Sequence, residues 1–410
     1  MLEKNRQRLK SILASLTLFA AASFLCVIAG EAFLRIFPGL LRQDLRAILI
    51  LDSQGGVRHQ TPGVISSDEF YSTCRIDEHG FRNESPWPAK TDIVIVGDSF
   101  VFGFGVNDDQ SWPALLARDF PQQHIMNLGQ VGAGVGQYQR IYEQFGVGLR
   151  PRLVLVGLLM SNDGWDTMMY DRWSKSGSSD DYMQWRDYGR FKFNPRNPID
   201  GIKGLLKRKS YLFALLLQTR EAYLDWSLSE PKMFNCPRGG RLQLFPSRLA
   251  AAASSAQPDR QEFRLMLEAI ERIQSLADQN GTKVLFVFQP DKEQVYLPLL
   301  EPASHVPDPG LALHNEMERR GISDFDLTPM LRQRAQAGEC LYFEKDGHPN
   351  VHGYAAIAEI VSAYLKQNAR RYGLEIPAKF PQTKAHGQSP NGAKTVMGQA
   401  IDVEKRDTGI

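Results

Sequence analysis

Four short stretches of this chain hold side chains of the kinds that attack, activate and stabilise an acyl group. Gly97-Asp98-Ser99-Phe100 presents a serine hydroxyl directly after an apolar run, with Gly103 and Gly105 close behind. Asn127-Leu128-Gly129-Gln130-Val131-Gly132-Ala133-Gly134 is a glycine-rich loop whose backbone can approach a ligand and point N–H groups at it. Ser161-Asn162-Asp163-Gly164 offers a side-chain amide, and Asp346-Gly347-His348-Pro349-Asn350 offers an imidazole with a carboxylate two residues away. Singly each is ordinary: Gly-Asp-Ser is a common loop, Asn-Asp-Gly a common turn, and a lone loop histidine is usually solvated. Together they supply a nucleophile, two kinds of oxyanion donor, and a base with the acid that orients it, the set that acyl transfer requires. Nucleotide binding fits poorly, because the glycine loop has neither the Gly-Lys-Ser/Thr ending of a P-loop nor the G-x-G-x-x-G spacing.

Regular elements must hold these stretches at one edge, and the apolar pattern predicts which ones. Strands are expected at 93–96, 125–128, 153–159, 284–288 and, more weakly, 322–327; helical spacing covers 111–119, 137–145, 259–278 and 351–371, the last capped by Asn350. Strands alternating with helices predict a mostly parallel sheet in a three-layer α/β/α domain, here residues 65–375. Three of the four stretches follow directly on a strand, at the carboxyl edge where such sheets bind ligands. Residues 165–250 break the alternation and read as an insertion. Its apolar run at 211–218, flanked by Lys207, Arg208, Lys209 and Arg220, is expected to form a helix buried on one face rather than an interfacial anchor. Trp165, Trp173, Trp185 and Tyr182 in the insertion are suited to stacking on sugar rings, although forming the insertion's own small core is the commoner fate of such aromatics. Residues 31–64 read as a connecting segment, and 376–410, polar and aperiodic, as a disordered tail.

Composition bounds the rest. The 410 residues carry 48 Lys+Arg against 46 Asp+Glu, a net charge of +2, so nothing favours nucleic acid as a partner. Mean hydropathy of −0.31 excludes a multi-span membrane protein but hides one uncharged run, residues 11–30. At about 1.5 Å rise per residue this run crosses a hydrocarbon core of roughly 30 Å. Lys4, Arg6, Arg8 and Lys10 precede it, which predicts residues 1–10 in the cytoplasm and the rest beyond the membrane. A cleaved signal peptide is the competing reading, with Gly30-Glu31-Ala32 as a loose cleavage site. Beyond the membrane, Cys74, Cys236 and Cys340 permit at most one internal disulfide, and the spacing does not say which. No metal or cofactor site is expected, since His79, His124, His305, His314 and His352 are scattered and there is no C-x-x-C.

In order and placement the four stretches resemble the GDSL/SGNH hydrolase superfamily: Gly97-Asp98-Ser99, Gly132 five residues after Asn127, Asn162-Asp163, and Asp346/His348. Asp77-Glu78-His79-Gly80-Phe81-Arg82, shortly before the first block, looks like an arrangement found in bacterial members with one amino-terminal membrane helix, so the resemblance runs from near Ser72 to near Arg371. It implies Ser99 as nucleophile, His348 as general base and Asp346 as its orienting acid. It implies an oxyanion hole from the backbone N–H groups of Ser99 and Gly132 and the side-chain amide of Asn162. The usual family spacing is Asp-x-x-His, and Lys345 occupies that acid's place; the Asp-x-His spacing made by Asp346 is similar to the alginate-acetylation branch, with Glu344 as the next candidate acid. The expected activity is that of a membrane-anchored, extracytoplasmic esterase or acyltransferase acting on O-acyl groups, O-acetyl first among them, of a cell-envelope or exported polysaccharide. Two alternatives stand beside it: a non-catalytic glycan-binding or assembly component using the same pocket, and a lipid esterase or thioesterase.

Overall fold

The computed structural model describes residues 2–37, 49–52, 56–59, 63–66, 69–176, 182, 198–228, 231–301 and 306–375. Trp185 and the tail at 376–410 lie outside the described residues. The chain opens with a long helix, α1 (Leu2–Ile36), followed by two antiparallel pairs, β1 (Leu49–Asp52) with β2 (Gly56–His59) and β3 (Gly63–Ser66) with β4 (Tyr71–Cys74). The segment read as a connection, residues 31–64, therefore carries two strands and the start of a third. Next come β5 (Ile93–Gly97), the single-turn α2 (Ser99–Phe102), α3 (Trp112–Asp119), β6 (Ile125–Gly129), α4 (Val135–Ile141), β7 (Leu153–Leu158) and α5 (Asp163–Ser176). Helices α6 (Pro198–Lys209) and α7 (Tyr211–Leu228), the hairpin β8 (Lys232–Asn235) with β9 (Arg241–Leu244), and α8 (Pro246–Ser255) follow. The chain then runs through α9 (Gln261–Gln279), β10 (Lys283–Phe288), α10 (Lys292–Leu300), α11 (Leu311–Arg319), β11 (Asp324–Asp326), α12 (Thr328–Gln336), α13 (Val351–Gln367) and α14 (Ala369–Tyr372).

The five expected strands form one sheet in the order β11-β10-β7-β5-β6, every neighbouring pair parallel. Alternate residues face opposite ways. Ile93, Ile95, Leu153, Leu155, Leu285 and Val287 pack with Trp112, Leu116, Ile357, Val361 and Leu365 of α3 and α13. Val94, Val96, Val154, Val156, Val284 and Phe286 pack with Tyr138, Ile141, Phe263, Met266, Ile270 and Ile273 of α4 and α9. A sheet covered on both faces is what its unbroken Val/Ile/Leu runs demand, and the architecture is three-layer α/β/α.

The insertion departs from expectation. The helix beginning at Tyr211 runs on to Leu228, and its apolar side chains that are described are half-buried or exposed, Leu216 among the most exposed. Tyr182 is wholly buried against Tyr170 and Trp173, with ring centroids 5.8 and 5.4 Å away, in a cluster with Phe102, Phe104 and Val131. It belongs to a small core and has no face to offer a sugar.

Candidate active site

Ser99 stands at the first position of α2, immediately beyond β5. Asp98 caps that turn, its Oδ1 accepting from the Phe100 N–H at 2.9 Å, and the Gly103 N–H closes it onto the Ser99 carbonyl at 3.0 Å. Gly103 has φ +84°, a left-handed conformation that glycine adopts without penalty. So tight a turn can sit on the sheet only if the strands beneath are bare. A Cβ on Gly97 would come within 2.2 Å of Val101, and one on Gly129 within 2.4 Å of the Phe102 nitrogen.

The strand order places the other two loops. Because β5 lies between β7 and β6, the loop after β6 with Gly132 and the turn after β7 with Asn162 flank Ser99 from either side. The Gln130 N–H donates to the Gly97 carbonyl at 2.9 Å, tying the glycine loop to the end of β5, and Gly132 takes a positive φ of +74°. Asn162 donates from Nδ2 to Asp166 Oδ2 at 3.2 Å.

The fourth stretch arrives from far along the chain. His348 Nε2 lies 2.7 Å from Ser99 Oγ, and His348 Nδ1 lies 2.6 Å from Asp346 Oδ1. The same Asp346 oxygen accepts the backbone N–H of His348 at 2.9 Å. This accounts for the short Asp-x-His spacing: one carboxylate oxygen caps its own turn and holds the imidazole two residues on. Lys345 presents its backbone N–H to Glu69, and Glu344 is drawn away to Arg241 at 2.5 Å, so neither stands in for the acid. The rings of Phe104 and Phe100, 4.5 and 5.3 Å from the imidazole by centroid, wall the other side.

Beneath the serine turn lie three buried acids, Asp98, Asp163 and Asp166. Burial pushes the Asp98 carboxyl up to about 6, against the opposing pull of the Phe100 N–H, the His348 charge and the Asn162 amide. Asp163 is raised well above the usual carboxylate range by burial and by the neighbouring Asp98 charge. Tyr138 Oη donates to Asp163 at 2.6 Å and the Leu159 N–H at 2.8 Å, so this residue of the Asn-Asp-Gly stretch is a buried strut joining α4 to the end of β7.

Several supports escaped the sequence reading. Arg82 donates to the carbonyls of Gly103 and Val106, each at 2.6 Å, and pairs with Asp108 at 3.0 Å, fastening the segment after α2. Asn83 pairs with both backbone groups of Asn127 on the edge strand β6, while Asp77 accepts from His79, Phe81 and Trp87. The motif at 77–83 is thus a brace for the first two blocks. The base loop has its own clamp. Lys292, fully buried, donates from Nζ to the carbonyls of Glu344, Lys345 and Asp346 at 2.9, 3.0 and 3.0 Å. On the amide side Glu69 accepts from the N–H groups of Lys345 and Asp346 at 2.9 and 2.7 Å. A disulfide, Cys236–Cys340, joins the loop after β8 to the approach to this segment, and Cys74 is buried outside that bridge. The signal for Lys292 was its place directly beyond a buried strand at the same sheet edge as Ser99 and Asn162.

Residues 244–406 match the family described as SGNH hydrolase-like domain, acetyltransferase AlgX, a span that takes in Asp346 and His348. No curated protein sequence matches the chain. Among solved structures it is similar to a member of the lipolytic protein G-D-S-L family from Veillonella parvula, at 14% identity and a TM-score of 0.35 over 67% of this chain and 96% of that one. It is also similar to an acetyl-xylooligosaccharide esterase from Geobacillus, at 13% identity and a TM-score of 0.31 over 70% of this chain and 95% of that one. The matched carboxyl-terminal part carries the Asp–His block, and the other three blocks meet it at one edge of a parallel sheet, so the chain is similar to the GDSL/SGNH hydrolase superfamily in this family match and in the placement of its blocks.

Proposed function

We propose that this is a membrane-anchored, extracytoplasmic serine esterase or O-acyltransferase acting on O-acyl groups, O-acetyl first, of a cell-envelope or exported polysaccharide. The observation that carries the reading is the unbroken hydrogen-bonded line from Ser99 Oγ through His348 to Asp346. Ser99 Oγ attacks the acyl carbonyl while His348 Nε2 takes its proton. Asp346 holds Nδ1–H in place and stabilises the imidazolium. The N–H groups of Ser99 and Gly132 and the Asn162 amide receive the negative charge on the carbonyl oxygen; one such donor is worth about 2.7–4 kcal/mol in the transition state. Collapse of the tetrahedral adduct breaks the ester bond, and His348 returns its proton to the departing alcohol. Water or a sugar hydroxyl then attacks the acyl-serine by the same route in reverse.

Acetyl is favoured by the acetyltransferase family matched over residues 244–406. The anchor is favoured by α1, whose segment Lys10–Ile36 is long and apolar enough to cross a membrane, its most apolar stretch standing clear of the rest of the fold. A signal sequence passes the same test of length and apolarity. The oxidising side of the membrane is favoured by Cys236–Cys340, since such bridges persist in exported proteins. Purified protein is expected to release p-nitrophenol from p-nitrophenyl acetate and to label at Ser99 with a fluorophosphonate. Equal hydrolysis by the wild type and Ser99→Ala removes the nucleophile assignment. Unchanged acetyl content in envelope glycans of a deletion strain removes the polysaccharide assignment.

A further inference from the structure

One turn of α1 holds the ends of two helices of the insertion. The Glu31 carboxylate accepts from Ser210 Oγ at 2.9 Å and from the Tyr211 and Leu212 N–H groups at 3.1 and 3.0 Å, capping the start of α7. Arg35 donates to the Lys209 carbonyl at 2.9 Å, closing the end of α6, and pairs with Glu31. Leu34 is buried, and Leu212 packs over Gly30. The α6–α7 turn is therefore pinned where the uncharged run of α1 gives way to charged residues, which is headgroup level if α1 spans a bilayer.

From that point α6 runs out with an uncovered apolar stripe. Ile199, Ile202, Leu205 and Leu206 recur at helical spacing on one face and are 41–63% exposed. The helix also carries Lys203, Lys207, Arg208 and Lys209 against one acid, Asp200. On α7, Leu216 adds another exposed aliphatic. Such a row of large aliphatics on a basic helix marks a binding surface rather than an ordinary solvated face.

We propose that α6 and α7 form an interfacial platform, with α6 lying in the plane of the bilayer that α1 crosses. Ile202, Leu205 and Leu206 enter the headgroup–acyl boundary, and the basic composition of the helix favours anionic lipid phosphates. The inference rests on the reading of α1 as a span. Two observations choose lipid over a second copy or a soluble partner: the stripe is continuous with the span through the Glu31 and Arg35 contacts, and its charge complements an anionic surface. A domain so seated has a fixed height and orientation above the membrane instead of swinging on a tether.

The test uses the full chain with Cys26→Ser, reconstituted in phosphatidylcholine vesicles containing phosphatidylglycerol, with single fluorophore-labelled cysteines at three sites. Leu205→Cys reports the platform, Leu18→Cys the span, and Gln279→Cys the opposite edge of the sheet. Nitroxide lipids labelled near the headgroup are expected to quench the probe at 205 and not that at 279, and chain-end nitroxides to quench the probe at 18. Omitting phosphatidylglycerol is expected to weaken quenching at 205 and leave 18 unchanged. Quenching at 18 with none at 205 overturns the platform and keeps the span; no quenching at 18 overturns the span itself. Equal quenching at 205 without anionic lipid overturns the role assigned to the basic residues, and intermolecular crosslinking through residue 205 in detergent assigns the stripe to a second copy and overturns the lipid assignment.

Discussion

The serine turn and the histidine loop meet at 2.7 Å but are held by opposite means. At the serine turn everything is local: Gly97 and Gly129 clear the space, Asp98 caps the next amide, and Arg82 grips the following carbonyls. The histidine loop is held at a distance, by Lys292 more than fifty residues before it, by Glu69 before the first block, and by a disulfide whose cysteines lie 104 positions apart. One half of this site is a property of a short motif and the other a property of the folded domain.

The most severe test asks whether the two halves serve one reaction. Ser99→Ala and His348→Ala should each lower ester turnover by roughly 10⁶-fold, and the double variant should be no worse than either single, because residues acting as a unit are not additive. Additive losses in a steady-state assay break the idea of a shared site. Next comes the disulfide. Cys236→Ser with Cys340→Ser should cost about 2–5 kcal/mol in denaturant unfolding, and amide exchange should rise in residues 343–348 before residues 97–103. Uniform loosening would erase the distinction between local and distant support.

Lys292→Met leaves three buried carbonyls without their ammonium and should cost about 2–3 kcal/mol. Its sharper signature is slower fluorophosphonate labelling of Ser99 in protein that remains folded by circular dichroism. The mildest effect belongs to the serine side. Asp98 titrates near 6 in the fold and near 4 when unfolded, so the native state binds the extra proton and stability rises as pH falls. Asp98 alone should add about 1 kcal/mol between pH 7 and pH 5, and Asp98→Asn, which keeps the cap, should flatten that part of the thermal-stability profile.

How much was legible follows from the same contrast. All five sheet strands could be read, because a strand covered on both faces must be apolar throughout and must stop at a polar edge. The serine turn and the Asp346–His348 turn left a mark in the sequence because Asp98 and Asp346 each cap the amide two residues on. Lys292 gave only its position, since its partners are backbone carbonyls, which have no identity in a sequence. The pairing of Cys236 with Cys340 was closed to view because three cysteines allow several bridges. The strands β1 to β4, β8 and β9 are four residues each, too short for alternation to stand out. The run beginning at Tyr211 showed a helix but not its length, since the polar residues that carry it on to Leu228 break the apolar pattern.

The 249 positions between Ser99 and His348 also set a schedule. The serine turn needs only what lies near it and can form while the chain is still being made, whereas the base arrives with the last elements of the domain. Until the segment behind β11 has folded across β10 and β7 to reach β5, Ser99 lacks its hydrogen bond to His348. Under the proposed function an incomplete chain would carry the serine without its base, and reactivity itself would report that the domain has folded.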